Sequence, residues 1–169
     1  MPATYEPIAT TTVANSTTTS VTFSSITSAY TDLRIVLCYG AVTSMFLGMR
    51  LNGDTGTNYS STRLLGNGST VTSARQTNAD YIAVETNFSP SSTIPGLATI
   101  DLFSYAGSTT KTVLTTGNSD LNGSGGLSRR TGLWRSTSAI NSVTLFDVTA
   151  TTNYFTSGST ITLYGILRA

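Results

Sequence analysis

The chain repeats one pattern, in which a short segment of alternating apolar and polar residues precedes a cluster of glycine, asparagine, aspartate or serine. Thr31–Tyr39 shows this pattern most clearly. The apolar residues at every second position from Leu33 to Tyr39 would share one face of a strand, because successive side chains point to opposite faces. The segment therefore predicts a half-buried β-strand that ends before Gly40.

The same alternation recurs along the chain, and no window keeps a helical period for three turns. The candidate strands are Ser20–Phe23, Thr31–Tyr39, Phe46–Leu51, Tyr59–Leu65, Ser69–Arg75, Tyr81–Val84, Leu97–Tyr105, Thr110–Thr116, Arg129–Arg135, Ser142–Val148 and Ser159–Leu167. A helical turn at Thr137–Asn141 is the most that the pattern allows. The alternation is weakest in Ser69–Arg75 and Tyr81–Val84. Roughly 8–10 short strands with turns between them predict an all-β fold, a single β-sandwich of the jelly-roll type.

Two segments stand apart from the strand pattern. We expect residues 1–14 to form an extended N-terminal arm or an edge strand, and residues 15–169 to form the sandwich domain. The run Gly117–Gly126 has the composition of the most flexible loop in the chain. The N-terminus has neither the positive charge nor the apolar core of a signal peptide, and no apolar run approaches a membrane span.

Charge is scarce in this chain of 169 residues. Charged residues make up 10%, the net charge is +1, and Lys111 is the only lysine. Serine and threonine, about a third of the sequence, supply the polarity instead. Without a basic stripe we expect no nucleic-acid binding. A surface with so little net charge resists association poorly, which favours a protein that packs against copies or partners.

The residue types argue against catalysis. The chain has no histidine, so a Ser–His–Asp or Cys–His arrangement is impossible within it, and we expect neither an enzyme nor a cofactor. The run Asn52–Asn58 has one acid and lacks the closing glutamate of a calcium loop, so it predicts a hairpin turn. We expect Asp101 to bond to backbone or to an arginine, and Cys38 to be a small core residue.

Six residues are candidate assembly contacts. Arg129, Arg130 and Trp134 lie in one predicted strand, and arginine and tryptophan are common at interface hot spots. The alternative for Trp134 is that it is the largest core side chain. Tyr5, Glu6 and Ile8 lie in the N-terminal segment, which would run along a partner and add a strand to its sheet edge.

Four sequence blocks resemble a family of virion proteins of tailed bacteriophages, with relatives in marine and cyanobacterial phages. The blocks are Val21–Ile26 with Tyr30–Ile35, Arg50–Asp54 with Asn58–Ser60, Gly132–Thr137 with Ala139–Val143, and Gly158–Thr160 with Leu163–Ile166. Together they cover nearly the whole chain in order. The resemblance implies a virion surface component and carries over no catalytic residue.

Two functions remain open at this point. In the first, the chain is a capsid decoration (cement) protein, made in the host cytoplasm, that binds the capsid surface as a homotrimer through contacts with itself, the major capsid protein or neighbouring virion proteins. In the second, it is a receptor- or carbohydrate-binding module of a head or tail fibre. Surface glycans would then stack on tyrosines near loops, namely Tyr30, Tyr59, Tyr81, Tyr105 and Tyr154.

Overall fold

A computed structural model describes residues 4–43, 45–85, 90–149 and 154–167, which form twelve β-strands and no helix. The strands are β1 (Tyr5–Thr12), β2 (Ser20–Phe23), β3 (Asp32–Tyr39), β4 (Leu47–Leu51), β5 (Tyr59–Gly66), β6 (Val71–Ala79), β7 (Ile82–Glu85), β8 (Gly96–Phe103), β9 (Lys111–Asp120), β10 (Gly125–Trp134), β11 (Val143–Asp147) and β12 (Thr160–Ile166). Each strand predicted by alternation has a counterpart. Across these ranges no helix has the length and apolar character that a membrane span needs.

The strands form two antiparallel sheets, so the predicted all-β sandwich class is confirmed. The larger sheet has eight strands in the order β1-β12-β3-β8-β9-β10-β5-β6. The smaller has four, in the order β2-β11-β4-β7. The first strand of the chain thus pairs with the last and the second with the eleventh. The hairpins β5-β6 and β9-β10 extend one side of the larger sheet.

The core lies between the two sheets and follows the alternation read from the sequence. On β3, Leu33, Ile35 and Leu37 are fully buried. They pack in one cluster with Met49 and Leu145 of the smaller sheet. Burying the apolar side chains of both inner faces is the main force that holds two such sheets together.

The N-terminal segment is an edge strand of its own chain. Tyr5–Thr12 pairs with β12, with one irregularity between Pro7 and Ala9. Backbone bonds extend the contact, because Val13 N–H donates to Ser159 O over 2.9 Å and Leu167 N–H donates to Thr4 O over 3.1 Å. Residues 1–3 of the predicted arm lie outside the described residues.

Three local predictions are wrong. The run Gly117–Gly126 is no loop, because β9 continues to Asp120, β10 starts at Gly125, and only residues 121–124 form the turn. A glycine is required at position 117 of this strand, because a Cβ there would lie only 2.5 Å from Oε2 of Glu85. The segment Thr137–Asn141 has no helical turn, only a bend at Ser138.

The third error concerns Cys38, which is exposed rather than a core residue. Its odd-numbered neighbours on β3 point inward, so its own side chain must point outward. The run Asn52–Asn58 is a turn with positive φ at Asn52 (52°) and Gly53 (67°), as expected. It is not a hairpin, however, because β4 and β5 belong to different sheets.

A polar corner fastens this turn to the larger sheet. The indole Nε1–H of Trp134 donates to Oδ2 of Asp54 over 2.7 Å, and the Tyr59 hydroxyl donates to Asp54 O over 3.1 Å. The rings of Tyr59 and Trp134 stack with centroids 6.3 Å apart. The hydrogen bond from Trp134 is the main reason that the pKa of Asp54 lies below its usual 3.8.

The close approach of Tyr30 to β12 yields a stability prediction. The Tyr30 ring lies directly over Gly165, where an added Cβ would overlap the ring atoms. We expect Gly165→Ala to lower the free energy of unfolding by about 1–3 kcal/mol through this overlap. Denaturant titration of the purified chain measures the change. Gly66→Ala is the matched control, because a Cβ there meets nothing within 4 Å; a loss as large in Gly66→Ala would contradict the explanation.

The polar corner yields a prediction about pH. We expect Asp54→Ala to lower the free energy of unfolding at neutral pH by about 1–3 kcal/mol, because a bond to a charged acceptor is lost. The pKa of Asp54 is lowered in the folded state, so this stabilisation is present above the usual carboxyl pKa of 3.8 and is lost as the pH falls below it.

The measurement is denaturant unfolding of the wild type and Asp54→Ala across the acidic range. Their difference should shrink as the pH falls below that value. Trp134→Phe is the companion variant, since it removes the donor and keeps the carboxylate. A difference that stays constant with pH would mean that the charge of Asp54 does not contribute.

Candidate assembly surface

The outer face of the eight-stranded sheet spans twice as many strands as the four-stranded sheet. The smaller sheet packs against the opposite, inner face, so every second side chain of the larger sheet points to the outside. On β8, for example, Leu97 and Phe103 point outward and Ile100 points into the core. The same alternation holds on β10, where Arg129 is exposed and its neighbours on both sides are buried.

Four apolar side chains are exposed together at one end of this face, and we call them the apolar patch. They are Leu64 (57% exposed), Val71 (72%), Leu97 (50%) and Leu127 (55%). Single exposed apolar residues are common, but a contiguous group of them marks an interaction surface.

The strand register places three of these residues near one another, and Leu97 lies farther along the same row, on the other side of Asn118. Leu127 lies opposite Gly66, which lies opposite Val71, and Leu64 is the next outward residue beside Gly66. Diagonal neighbours on a sheet face are roughly 7–8 Å apart, within reach of leucine side chains. Gly66 has no side chain, so Leu127, Leu64 and Val71 surround a shallow gap on the face.

An uncharged row of residues crosses the whole sheet through this patch, and we call it the neutral row. From one edge to the other it consists of Thr12, Thr160, Cys38, Leu97, Asn118, Leu127, Gly66 and Val71. The adjacent row contains a single charge, Arg129, which lies directly opposite Leu64. A partner that covers these two rows would therefore desolvate very few charged groups.

The other end of the outer face is aromatic and ion-paired. The rings of Tyr5 and Tyr164 stack with centroids 4.5 Å apart. Arg34 Nε donates to Asp101 Oδ1 over 2.6 Å, which confirms the expected arginine partner of Asp101 and raises the pKa of Arg34. Burial raises the pKa of Tyr5. Because these groups satisfy one another, they tie β1 to β12, β3 and β8.

The three N-terminal candidates lie together along β1. Tyr5 is 42% exposed on the outer face, and Ile8 packs partly against the core. Glu6 accepts a hydrogen bond of 3.2 Å from the Tyr30 hydroxyl. All three therefore make contacts within the chain, and only Tyr5 presents a large exposed surface.

The three candidate contacts on β10 lie on opposite faces of the strand. Arg129 points outward into the row next to the apolar patch, whereas Arg130 and Trp134 are 6% and 2% exposed. Trp134 belongs to the corner with Asp54 and to the buried core, so the alternative prediction that it is a core residue is confirmed. The Arg129-Arg130 pair does not act as one unit, because adjacent residues of a strand point to opposite faces.

Beneath β9 and β10 the inner face is polar. The Ser128 hydroxyl donates to Oε2 of Glu85, and both residues are buried. Arg130 lies near Glu85, yet desolvation by burial lowers the pKa of Arg130 to about 10. A guanidinium at that pKa remains charged at neutral pH. This cluster supports the hairpin from inside, and its burial keeps it from contacting a partner.

An open cleft of about 450 Å³ lies at the end of the two hairpins. Its walls include Asn67, Asn118, Asp120 and Leu127. Two of its polar groups are already engaged, since Asn67 Oδ1 accepts from the Thr70 N–H over 2.8 Å and Asp120 Oδ1 accepts from the Asn122 N–H over 2.9 Å. In the part of the chain described, no three Cys, Asp or Glu side chains gather to hold a metal.

Two of the five tyrosines proposed for glycan stacking are not available, and the other three, Tyr30, Tyr81 and Tyr154, are half-buried. Tyr59 and Tyr105 are fully buried. The Tyr30 ring lies on Gly165. The ring of Tyr81 makes an edge contact with the ring of Phe146, and their centroids are 6.2 Å apart. The prediction that Tyr59 and Tyr105 present a face to a sugar is wrong, because their hydroxyls hold loops while their rings fill the core.

Sequence analysis missed the apolar patch. The clue was present at Leu64-Leu65, where two consecutive apolar residues in a strand require one of them to point outward. Leu65 is buried and Leu64 is exposed. Leu127 was overlooked because its glycine-rich surroundings suggested a loop.

The chain was also compared with known proteins. It matches no protein-family model and no curated protein.

Proposed function

We propose that this chain is a structural protein of a bacteriophage virion that decorates the capsid surface. The observation that carries the proposal is the apolar patch together with the neutral row. They form a broad and nearly uncharged sheet face, which is suited to lie against another protein. The sequence resemblance to phage virion proteins supports the same function.

The architecture supports the proposal as well. We infer a jelly roll from the nested strand pairs β1-β12, β2-β11, β3-β8 and β4-β7. This is the result when a long antiparallel hairpin folds over and rolls up, so that β12 also pairs with β3 and β11 with β4. Jelly rolls are common in viral capsid proteins and in lectins. Since a fold alone does not determine function, the surface carries the argument.

The outer face acts by adding contacts around the shell. Each copy places the apolar patch against the capsid and excludes water from it, and many copies together resist the pressure of packaged DNA. The buried side of the sheet is rigid because its strands are paired on both sides from β12 to β5. The binding face is therefore already in its bound shape, which limits the entropy lost on docking.

A second candidate function is carried by the open cleft between the hairpin ends. The Asn118 amide and the apolar side chain of Leu127 in its wall would bind a glycan, as in a fibre-tip module. An array of glycans tests this function. Binding that Asn118→Ala abolishes would support the cleft as the site, and no binder on the array would exclude it.

Occupancy on phage heads tests the decoration function. We expect Leu127→Glu to weaken binding of the full chain to heads that lack it by about tenfold or more, because a charge would be buried at the centre of the patch. Co-sedimentation with heads measures the binding. Val42→Glu is the matched control, since Val42 is similarly exposed (46%) but lies outside the strands and is not part of the apolar patch.

Copy number provides the complementary measurement. Gel densitometry of purified particles should show copies comparable in number to the capsid subunits. Far fewer copies, or equal head binding by Leu127→Glu and the wild type, would rule out decoration through this face. Deleting residues 1–14 is a poorer test, because it removes β1 and exposes β12.

A further inference from the structure

The four free sheet edges of the described chain differ in how well they are protected against pairing. The edges are β1 and β6 in the larger sheet and β2 and β7 in the smaller. Strands β2 and β7 have four residues each. Strand β1 carries Pro7 and an irregularity beside it. Short length, proline and bulges are the usual devices that stop a sheet edge from recruiting another strand.

Strand β6 has none of these devices over most of its length. It is nine residues long, and its first six, Val71–Gln76, pair with β5 without interruption. They include no proline, no lysine and no acid. The irregularity in its pairing comes only after Gln76, where Asn78 has a positive φ of 51°. An edge strand presents every second backbone N–H and C=O outward, so β6 presents an open row of them.

We propose that β6 is a strand-addition edge through which two copies of this chain pair antiparallel about a two-fold axis. The axis lies at Ser73 or Ala74, where the overlap of Val71–Gln76 with its symmetry mate is greatest. Two eight-stranded sheets thereby become one continuous sheet.

The charge pattern selects a second copy as the occupant. Arg75 is the only charged residue between Val71 and Ala79. With the axis at Ser73, Arg75 lies opposite Val71; with the axis at Ala74, it lies opposite Ser73. Neither register places the two arginines directly opposite each other. The axis at Ser73 separates them by four residues along the strands, whereas the axis at Ala74 makes them diagonal neighbours, so like-charge repulsion favours the axis at Ser73. The net charge of +1 adds little repulsion between whole copies.

The other edges select the two-fold arrangement. Pairing of β6 with β1 of the next copy would be head-to-tail and would propagate into a fibre. Pro7 and the adjacent irregularity of β1 obstruct that arrangement. Pairing of β6 with itself uses the same surface on both copies and closes after two, as isologous interfaces do.

The apolar patch continues this interface. Val71 lies on β6 and Leu64 on the strand beside it, both on the outer face. A two-fold axis perpendicular to the sheet keeps both outer faces on the same side. The two patches then meet across the axis and leave a face twice as wide for a further partner. The inference concerns the purified chain and does not depend on the proposed function.

Sedimentation velocity of the full chain tests the pairing. We expect a dimer for the wild type and a monomer for Ser73→Lys, with the dimer dissociation constant raised at least tenfold, because two ammonium groups would meet near the axis. Thr12→Lys is the matched control, since Thr12 is an exposed outward residue of the opposite edge strand. It should remain a dimer. Circular dichroism verifies that both variants fold.

Cross-linking locates the axis independently. In a Cys38→Ser background, Ser73→Cys or Ala74→Cys should form a disulfide-linked dimer under mild oxidation, and Thr12→Cys should not. A wild-type monomer at every concentration would overturn the inference, as would a dimer or trimer that Ser73→Lys leaves intact. If Leu127→Glu loses head binding but remains a dimer, the result supports the pairing of β6 and shows separately that the apolar patch contacts the head.

Discussion

The pairing of strands from opposite ends of the chain is the constraint on which this structure depends. Strand β12 lies between β1 and β3, and β11 lies between β2 and β4. The last two strands of the chain are thus interior strands of their sheets. The core is therefore completed only when both of them have paired. Because these pairings span most of the chain, their loop-closure entropy must be overcome before burial of the core compensates for it. Stability therefore depends on uninterrupted registers such as β12 against β3, which runs from Thr160 to Ile166 without a shift.

Two hairpins, β5-β6 and β9-β10, contribute most of the apolar patch and the open edge strand. Strands β9-β10 and β5-β6 extend the larger sheet on one side only. Strand β7 of the smaller sheet covers part of their inner face, where Ile82 lies against Gly132 and Glu85 accepts a hydrogen bond from Ser128, so this part of the interior mixes apolar and polar groups. The outer face gains the apolar patch, and the sheet gains a long edge at β6. Three of the four patch residues and the open edge at β6 therefore belong to these two hairpins, and the fourth, Leu97, belongs to β8.

Much of the fold was predictable from the sequence, because half-buried strands show alternating apolar and polar residues. The segment around Leu33–Tyr39 is an example, because the separation of its residues into two faces was correct, although Cys38 was expected in the core and lies on the exposed face. What alternation does not supply is the partner of each strand. Nothing local in Tyr5–Thr12 says that it pairs with β12 rather than with another molecule. At position 117 glycine does not indicate a flexible loop, because Gly117 lies inside a strand and its missing side chain allows the close approach of Glu85.

The candidate site was less predictable than the fold, for a related reason. Arginine and tryptophan drew attention to β10, yet Trp134 and Arg130 point inward and only Arg129 reaches the surface. The residues that form the patch are ordinary leucines and a valine, whose significance comes from cross-strand register and not from chemistry. Leu127 and Val71 become neighbours only because Gly66 lies between them without a side chain. A sequence read one strand at a time has no access to that arrangement.

The scarcity of charge on this face determines what kind of association it can support. Charged interfaces gain speed and partner choice from long-range steering, and they weaken as salt screens them. The neutral row has no such field, so a partner must be found by contact and retained by shape, apolar area and backbone pairing. Single contacts of this kind are weak, and they become strong when several act together on one rigid body. A broad sheet face beside an open edge strand is suited to this, because each copy offers two different contacts whose geometry the same sheet fixes.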